Sequence, residues 1–319
     1  IHFGLIPRAH RCIFVLNELP DLQPRIQVSL FSILEEKEIQ IRGFKVRLPL
    51  DIQFIFTSNP EDYTNRGTIV TPLKDRIGSQ ILTHYPESIK IAKKITEQES
   101  KLDSKVISKI HIPEIARDII EQISFEARES DLVDKKSGVS ARMSITSLQN
   151  LVSSAERRMI INNEKKTSIR MSDFNSVISS INGKVELVYE GEEEGAEQVS
   201  YNLISDAVKS LFNKYFPKIE KLSKPGEETP YDSLLEWFTQ KQLVIGDSLN
   251  DNEYEELLLE IIDARTIIDK YVKDLDENDR FFFIEFILWG LESFNKLSIL
   301  RTNNGIEFKD PFNNFINKI

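Results

Sequence analysis

Two largely apolar runs, each followed by polar residues, mark the first part of the chain. Residues 12–16 (CIFVL) lead into Asn17 and Glu18, and residues 52–56 (IQFIF) lead through Thr-Ser to Asn59. Apolar runs without regular polar alternation are typical of strands covered on both faces of a parallel sheet. The carboxyl ends of such strands face the crevice where ligands bind in open α/β sheets. The pattern therefore predicts a buried parallel sheet with polar side chains at one edge.

Between these runs the periodicity changes twice. Residues 23–36 place apolar side chains at helical spacing, which predicts an amphipathic helix. Residues 38–48 then alternate apolar and polar positions on either side of Arg42 and Gly43, which predicts a β-hairpin. The sequence supports the hairpin and leaves its role open.

Beyond residue 85 the spacing becomes helical. Helices are predicted from Pro86, after Pro113, over residues 144–161 and over residues 172–181. The glycine-containing acidic segment 189–198 predicts a linker. Further helical patterns follow, and residues 281–300 are apolar on nearly every side, as expected for the central helix of a bundle.

Composition is that of a soluble globular protein. The 319 residues are 40% hydrophobic and 29% charged. No apolar run approaches the roughly 20 residues that a membrane helix needs, so no membrane role is predicted. The one cysteine, Cys12, excludes an internal disulfide and fits a reducing compartment, and we predict a cytoplasmic location.

The net charge of −10 is unevenly distributed. Residues 184–319 contain 15 basic and 28 acidic residues, which gives −13 and leaves +3 for residues 1–183. Nucleic acids are bound through Lys and Arg, so the acidic carboxyl-terminal part argues against nonspecific nucleic-acid binding there. A protein partner fits this charge better.

The polar residues behind the two apolar runs are candidates for phosphoryl-transfer chemistry. Glu18 could polarise an attacking water, and the Asn59 amide could hold that water or contact a phosphate. Each has a structural alternative. Glu18 could begin a helix before Leu19 and Pro20, and Asn59 could open a turn before Pro60.

The order of NELPDL, SILEEKEIQIRG, TSNPEDYTNRG and TPLKDRIGSQI resembles the AAA+ ATPases of the magnesium chelatase and MoxR group. The similarity covers roughly residues 1–183, and the unbroken stretch 50–86 makes it specific. The resemblance implies that residues 12–16 form the Walker B strand and that Asn59 is the sensor 1 amide. It implies that Arg76 reaches the nucleotide of a neighbouring subunit, with ATP and Mg²⁺ as cofactors.

The same resemblance assigns further residues. Arg142 stands at the sensor 2 position, and Arg66 is the reserve candidate for the role of Arg76. Asn17 stands where the family has an Asp that orients Mg²⁺ through water, so metal binding would be weaker or helped by Asp21. From the residues alone, Arg76 could instead form a surface pair with Asp75, and Arg142 could be a solvated group at a helix start.

One part of such an ATPase is absent from the sequence. The G-x-x-x-x-G-K-[ST] loop, whose backbone N–H groups cradle phosphates, does not occur in the 319 residues. We therefore expect a fragment that lacks the amino-terminal Walker A half of the core and is inactive by itself.

The predicted fold class is a partial α/β AAA+ core followed by an all-α lid and an all-α carboxyl-terminal domain. We assign the core to residues 1–85 and the lid to residues 86–188. An acidic linker at 189–198 then leads to the last domain at 199–319, where the sequence indicates no catalytic group.

The predicted function is ATP hydrolysis by a homo-oligomeric ring, which could be a hexamer. The ring would use this hydrolysis to remodel a partner protein or to insert a metal into it. The resemblance implies a partner with a von Willebrand type A domain. Two alternatives stay open. A degenerate ATPase could serve as a protein-binding scaffold, which Asn17 favours, or the chain could belong to a nucleic-acid-remodelling AAA+ motor, which the hairpin permits.

Overall fold

The computed structural model describes residues 3–40, 47–59, 68–219, 229–302 and 305–311. The chain divides into two units, Ile1–Tyr85 and Pro86–Ile319. Each unit has its own hydrophobic core. The division falls where the sequence pattern changes from strands to helices.

The first unit is built around a pair of parallel strands. Its elements are α1 (Leu5–Arg8), β1 (Cys12–Leu16), α2 (Pro24–Ser29), α3 (Phe31–Glu35), β2 (Glu38–Gln40), β3 (Arg47–Pro49), β4 (Ile52–Phe56) and α4 (Thr71–Asp75). β1 and β4 run parallel, with Cys12 opposite Ile52 and Leu16 opposite Phe56. β2 and β3 are antiparallel, as in the predicted hairpin, and residues 41–46 between them lie outside the described residues.

The β1–β4 sheet is covered on one face. Leu16 and Phe56 pack against a buried core. That core consists of Leu19, Leu30, Ile33, Leu50 and Leu73. On the other face Ile13, Val15 and Ile55 are 65%, 51% and 44% exposed. The prediction that both faces are buried is therefore wrong for the described residues, because the core that covers these strands lies on one side.

The single helix predicted for residues 23–36 is two short helices, α2 and α3. They meet at Leu30, which keeps helical backbone angles (φ −79°, ψ −14°). Leu30 and Ile33 both reach the core. Pro24 starts α2, a position where its missing N–H costs no hydrogen bond.

The second unit begins with helices and one short strand pair. Its first elements are α5 (Ile89–Glu99), α6 (Ser104–Ile107), β5 (Ile110–His111), α7 (Glu114–Glu129), α8 (Arg142–Ile161), β6 (Thr167–Ser168) and α9 (Ile178–Asn182). β5 and β6 pair in parallel. The helix predicted for residues 172–181 is instead a 3₁₀ turn, Met171–Val177, followed by the short α9.

The carboxyl-terminal part contains a sheet as well as helices. Its elements are α10 (Tyr189–Glu194), α11 (Ala196–Tyr215), α12 (Asp232–Gln240), β7 (Leu243–Gly246), α13 (Asp251–Leu259), α14 (Ile262–Tyr271), α15 (Arg280–Ser293), β8 (Ser298–Thr302) and β9 (Gly305–Lys309). The strands form an antiparallel sheet in the order β7-β9-β8. This sheet shows that the predicted all-α fold of this part is wrong. Its strands bury alternate residues, such as Ile306 and Phe308, in the core.

The segment predicted as an acidic linker, residues 189–198, is helical. α10 is followed by Gly195, whose positive φ of 96° turns the chain, and α11 begins at once. Packing holds this segment in place, since a Cβ added at Gly191 would lie 2.6 Å from the Leu132 carbonyl oxygen. Buried residues on both sides of the segment belong to one core. Its acidic residues therefore cover a helix surface rather than separate two domains.

α15 runs through the middle of the second core. All residues from Phe282 to Leu291 are buried, as expected for a central helix that is apolar on every side. In the part of the chain that the structure describes, every helix is too short or too polar to span a membrane.

Gly290 of α15 allows this helix to approach α11, and its replacement tests the packing. A Cβ at Gly290 would lie 2.1 Å from Cδ2 of Phe212, a ring that is fully buried. We expect Gly290→Ala to lower the free energy of unfolding by about 1–3 kcal/mol, because the packed ring must shift. Urea denaturation measures this. Gly183→Ala is the control, since a Cβ there meets nothing closer than 3.7 Å, and an equal loss in both variants would contradict the packing argument.

Candidate functional site

The ends of β1 and β4 lie side by side and keep their pairing beyond the strands. The Thr57 N–H donates to the Leu16 carbonyl at 3.0 Å, and the Leu19 N–H donates to the Thr57 carbonyl at 2.9 Å. These two bonds fix the residues between Leu16 and Leu19 against Thr57. Asn17 and Glu18 therefore lie at the same sheet edge as the segment that leads to Asn59.

Thr57 connects both candidate residues of the β1 end. Its hydroxyl donates to Oδ1 of Asn17 at 3.2 Å and accepts a hydrogen bond from the Glu18 N–H at 3.1 Å. Thr57 is not among the site residues predicted from the sequence. Its signal was present, since it is the first polar residue after the β4 run, just as Asn17 is after the β1 run.

Glu18 has a left-handed backbone, with φ 52° and ψ 56°. A non-glycine residue in this region costs of order 1–3 kcal/mol and persists where its surroundings impose it. Here Leu19 and Pro20, the first two residues of a 3₁₀ turn, are buried directly behind Glu18. The buried turn holds the backbone, and the Glu18 residue itself is exposed at the sheet edge.

Asn59 and Arg66 belong to the segment after β4. Asn59 follows Thr57 by two residues and is exposed. The parallel pairing brings the segments of Asn17, Glu18 and Asn59 to one edge, as the strand pattern predicts. Arg66 lies outside the described residues.

Arg76 follows α4 and is held by its own unit. Its Nε and Nη2 lie 2.8 and 2.7 Å from Oε2 of Glu35, and its Nη1 donates to the Pro72 carbonyl at 2.8 Å. The guanidinium also lies 4.9 Å from the centre of the Phe31 ring. Arg76 therefore forms its ion pair with Glu35 of α3. To contact the nucleotide of a neighbouring subunit, the guanidinium would have to bind it together with Glu35 or in place of Glu35.

Arg142 begins α8 in the second unit. Its N–H donates to the Ser140 hydroxyl at 3.2 Å, and the residue is exposed. The helix start predicted near residue 144 is thereby observed at Arg142 itself.

The oxygen atoms at the β1 end can be compared with the needs of Mg²⁺. The described residues contain no group of three or more His, Cys, Asp or Glu that could hold a metal ion. Mg²⁺ commonly keeps several waters and takes one or two protein oxygens together with phosphate oxygens. Glu18 with the Asn17 amide, whose Oδ1 already accepts from Thr57, fits that mode.

The second unit carries a buried polar network that the sequence analysis did not predict. Arg158 on α8 lies 2.5 Å from Asp173, and Arg170 lies 2.8 Å from Asp251 on α13. Both arginine side chains are almost completely buried. An isolated buried charge is costly, so each arginine needs its carboxylate. The Arg170–Asp251 pair fastens the region before residue 183 to the carboxyl-terminal helices, whereas the Arg158–Asp173 pair lies within that region. The partners are far apart in sequence, and no local pattern marks them.

Glu285 of α15 belongs to the same buried region. Its Oε2 accepts hydrogen bonds from the Tyr254 hydroxyl at 2.8 Å and from the Met171 N–H at 3.1 Å. Burial raises the pKa of Glu285 from 4.5 to about 7, with Asp173 adding to this rise and Arg170 opposing it. The carboxyl is completely buried, so its role is structural.

Comparison with known proteins bears on the first unit. A family model described as the Sigma-54 interaction domain matches residues 2–79. No curated protein sequence matches the chain. Among solved structures, a protein of Cytophaga hutchinsonii ATCC 33406 described as a "putative ATPase" aligns with a TM-score of 0.25 and 20% identity, over 60% of this chain and 64% of that one. The chain thus spans less than two thirds of that protein. The family match supports an AAA+ ATPase-type domain in the first unit.

Proposed function

We propose that this chain is part of a ring-forming AAA+ ATPase of the magnesium chelatase and MoxR type. The observation that carries the proposal is the parallel pairing of β1 and β4, which sets Glu18 and the segment of Asn59 at one sheet edge. The match of residues 2–79 to a family model of the AAA+ type supports the ATPase part of this proposal.

Within the proposed site Glu18 polarises the attacking water and Asn59 orients it. Phosphoryl transfer depends mostly on positioning and charge stabilisation, so a carboxylate and an amide carried to the same sheet edge suit the reaction. Thr57 positions Asn17 and Glu18, because its hydroxyl is hydrogen-bonded to the Asn17 side chain and to the Glu18 backbone. When bound, Mg²⁺ would neutralise charge on the transferred phosphoryl group, and Asn17 would hold its water shell.

The proposal assigns three arginines. Arg76 would act on the nucleotide of the adjacent subunit, with Arg66 as the reserve for this role, and Arg142 would contact the nucleotide of its own subunit. A guanidinium suits this role because it stays charged and its donors match phosphate oxygens. Glu35 would keep Arg76 in place until a neighbouring subunit arrives.

The proposed work of the ring is remodelling of a partner protein, or metal insertion into it, with a von Willebrand type A domain as the partner that the resemblance implies. A second candidate partner comes from the matched family model, whose description names interaction with sigma-54. Binding of purified sigma-54 by the protein with a non-hydrolysable ATP analogue would favour the second candidate.

A mixing experiment tests the proposed function in the protein at the full length that its gene encodes. If Glu18 acts in its own subunit and Arg76 in the next, neither Glu18→Gln nor Arg76→Gln alone turns over ATP, but a mixture regains activity. Random assembly places an intact Glu18 beside an intact Arg76 at about a quarter of the interfaces. We therefore expect about a quarter of the wild-type turnover of ATP, measured as phosphate release.

Three outcomes decide the proposal. Turnover in the mixture that rises with protein concentration supports a shared site. Activity of Arg76→Gln by itself would remove Arg76 from the reaction. Nucleotide binding without turnover in the wild-type protein at all concentrations would contradict ATP hydrolysis and favour the scaffold alternative.

A further inference from the structure

The second unit has a cleft lined by cations, although its sequence is acidic overall. The cleft has a volume of about 790 Å³ and lies where α5, α7 and the end of α11 meet. Its cationic lining, which we call the basic cleft, consists of Lys90, Lys93, Lys94, Arg117 and Lys214. The cleft is therefore a place where negative charge could be received.

The balance of charge in the basic cleft favours an anionic occupant. Lys93 is paired with Glu114 and Asp118. The other four cations form no ion pair within the part of the chain that the structure describes, and Glu97 is the further exposed carboxylate of the lining. Glu121 at the floor is 3% exposed and bonded to Thr96 and Ser144, and burial raises the pKa of its carboxyl.

The opposite end of the same helices carries the negative charge. α10 presents Glu190, Glu192, Glu193 and Glu194, all of them exposed, and we call this surface the acidic end. α10 leads through Gly195 into α11, whose last turn contains Lys214 of the basic cleft. With a rise of 1.5 Å per residue, Ala196 and Lys214 lie ~27 Å apart along the helix axis.

α7 also has one end at the basic cleft and the other near the acidic end. Arg117 in its first turns lines the basic cleft. After its last turn the chain reaches Leu132, whose carbonyl accepts a hydrogen bond from the Val188 N–H just before α10. The contact between Ser210 and Glu126 at 2.6 Å shows that α7 and α11 lie side by side. Both helices therefore hold the acidic end and the basic cleft at opposite ends of one rigid pair.

We propose that the acidic end of one copy of this chain docks into the basic cleft of the next copy. Because the two surfaces differ and lie at opposite ends, the contact is head-to-tail, and repetition of such a contact closes into a ring or continues as a filament. Complementary charge of this kind speeds association and fixes partner and register. The proposal rests on the assembly named in the proposed function, but it does not require ATP hydrolysis.

Charge reversal tests the contact in the full chain, followed by sedimentation velocity at low and high salt. Wild type should associate with increasing concentration, and about 500 mM NaCl should weaken this association because it screens the charges. The double variant Lys90→Glu/Lys94→Glu makes the basic cleft negative, so both surfaces carry negative charge. The double variant Glu192→Lys/Glu193→Lys makes the acidic end positive, so both surfaces carry positive charge. Each double variant should associate at least tenfold more weakly.

Rescue distinguishes this contact from a general effect of charge. The chain with all four substitutions again has one positive and one negative end, and it should recover association. A mixture of the two double variants should recover it too. Lys241→Glu/Lys273→Glu, which changes neither surface but alters net charge as the cleft variant does, serves as the control and should associate like wild type.

The proposal is overturned if wild type stays monomeric at low salt, if the four-substitution chain does not recover, or if the acidic-end variant associates normally. Its failure is separate from that of the proposed function. Salt-dependent association without ATP turnover contradicts only the proposed function, whereas turnover in a protein whose association ignores these charges contradicts only this contact.

Discussion

Glu18→Gln should lower ATP turnover at least about 100-fold, with nucleotide binding retained. A positioned general base contributes roughly 10²–10⁴ in rate, and the amide removes the negative charge that polarises water while it keeps the shape of the side chain. The Glu18 N–H bond to Thr57 is a backbone bond and remains. Steady-state phosphate release and binding of a fluorescent ATP analogue, both in the full-length protein, measure the two quantities.

Two further variants separate charge from backbone geometry. Glu36→Gln is the matched control, because it makes the same chemical change at an exposed position after α3, away from the strand ends; its turnover should be that of wild type. Glu18→Gly should also be inactive, although glycine adopts the left-handed φ of 52° without strain. Full activity of Glu18→Gln would assign water activation to another residue.

The first unit was largely predictable because its signals are local. Apolar runs end abruptly at Asn17 and before Asn59, and parallel pairing of β1 and β4 brings those ends together. The sequence could not predict which elements pack against each strand. The same apolar pattern fits a strand buried on two faces or on one, and the exposure of Ile13 and Val15 depends on which elements pack on the sheet.

The candidate site was predictable in part for the same reason. Glu18 and Asn59 follow from strand ends, whereas the Glu35–Arg76 pair joins residues 41 positions apart and has no local signature. The positive φ of Glu18 is likewise invisible in the sequence, since glycine would have been the expected residue there.

The carboxyl-terminal sheet was missed because its strands are short. β7 has four residues, and apolar runs of that length fit a buried helix as well as a strand. A signal was nevertheless present in the alternation of Ile306 and Phe308 with polar neighbours, which is the period of a strand. The presence of a sheet could have been predicted from β9, but the order of its strands could not.

The buried charges of the second unit show how composition can mislead. Acidic residues along this part suggest a solvated surface, yet Glu285 is completely buried and Asp173 nearly so. Asp173 is paired with Arg158, whereas Glu285 has hydrogen bonds from Tyr254 and Met171 but no direct ion pair among the described residues. A buried carboxyl without a bonded cation favours its neutral form, which makes stability depend on pH.

Wild-type stability should fall relative to Glu285→Gln as pH rises from about 4.5 to about 8. The pKa of Glu285 is raised from 4.5 to about 7 by burial, so the folded state binds its proton more tightly than the unfolded chain. This stabilisation is fully present below pH 4.5 and is lost as the pH passes through about 7. At 1.36 kcal/mol per pKa unit, the total change is about 3 kcal/mol.

Urea denaturation of both proteins at a series of pH values measures this difference. Glutamine keeps an oxygen that can accept from Tyr254 and Met171, carries no titratable proton and imitates the neutral carboxyl. All other titratable groups near this site, including Asp173, Arg170 and Tyr254, are present in both proteins, so subtraction isolates Glu285. A difference that stays constant across the pH range would show that the pKa of Glu285 is the same in the folded and unfolded states, which would contradict the rise caused by burial.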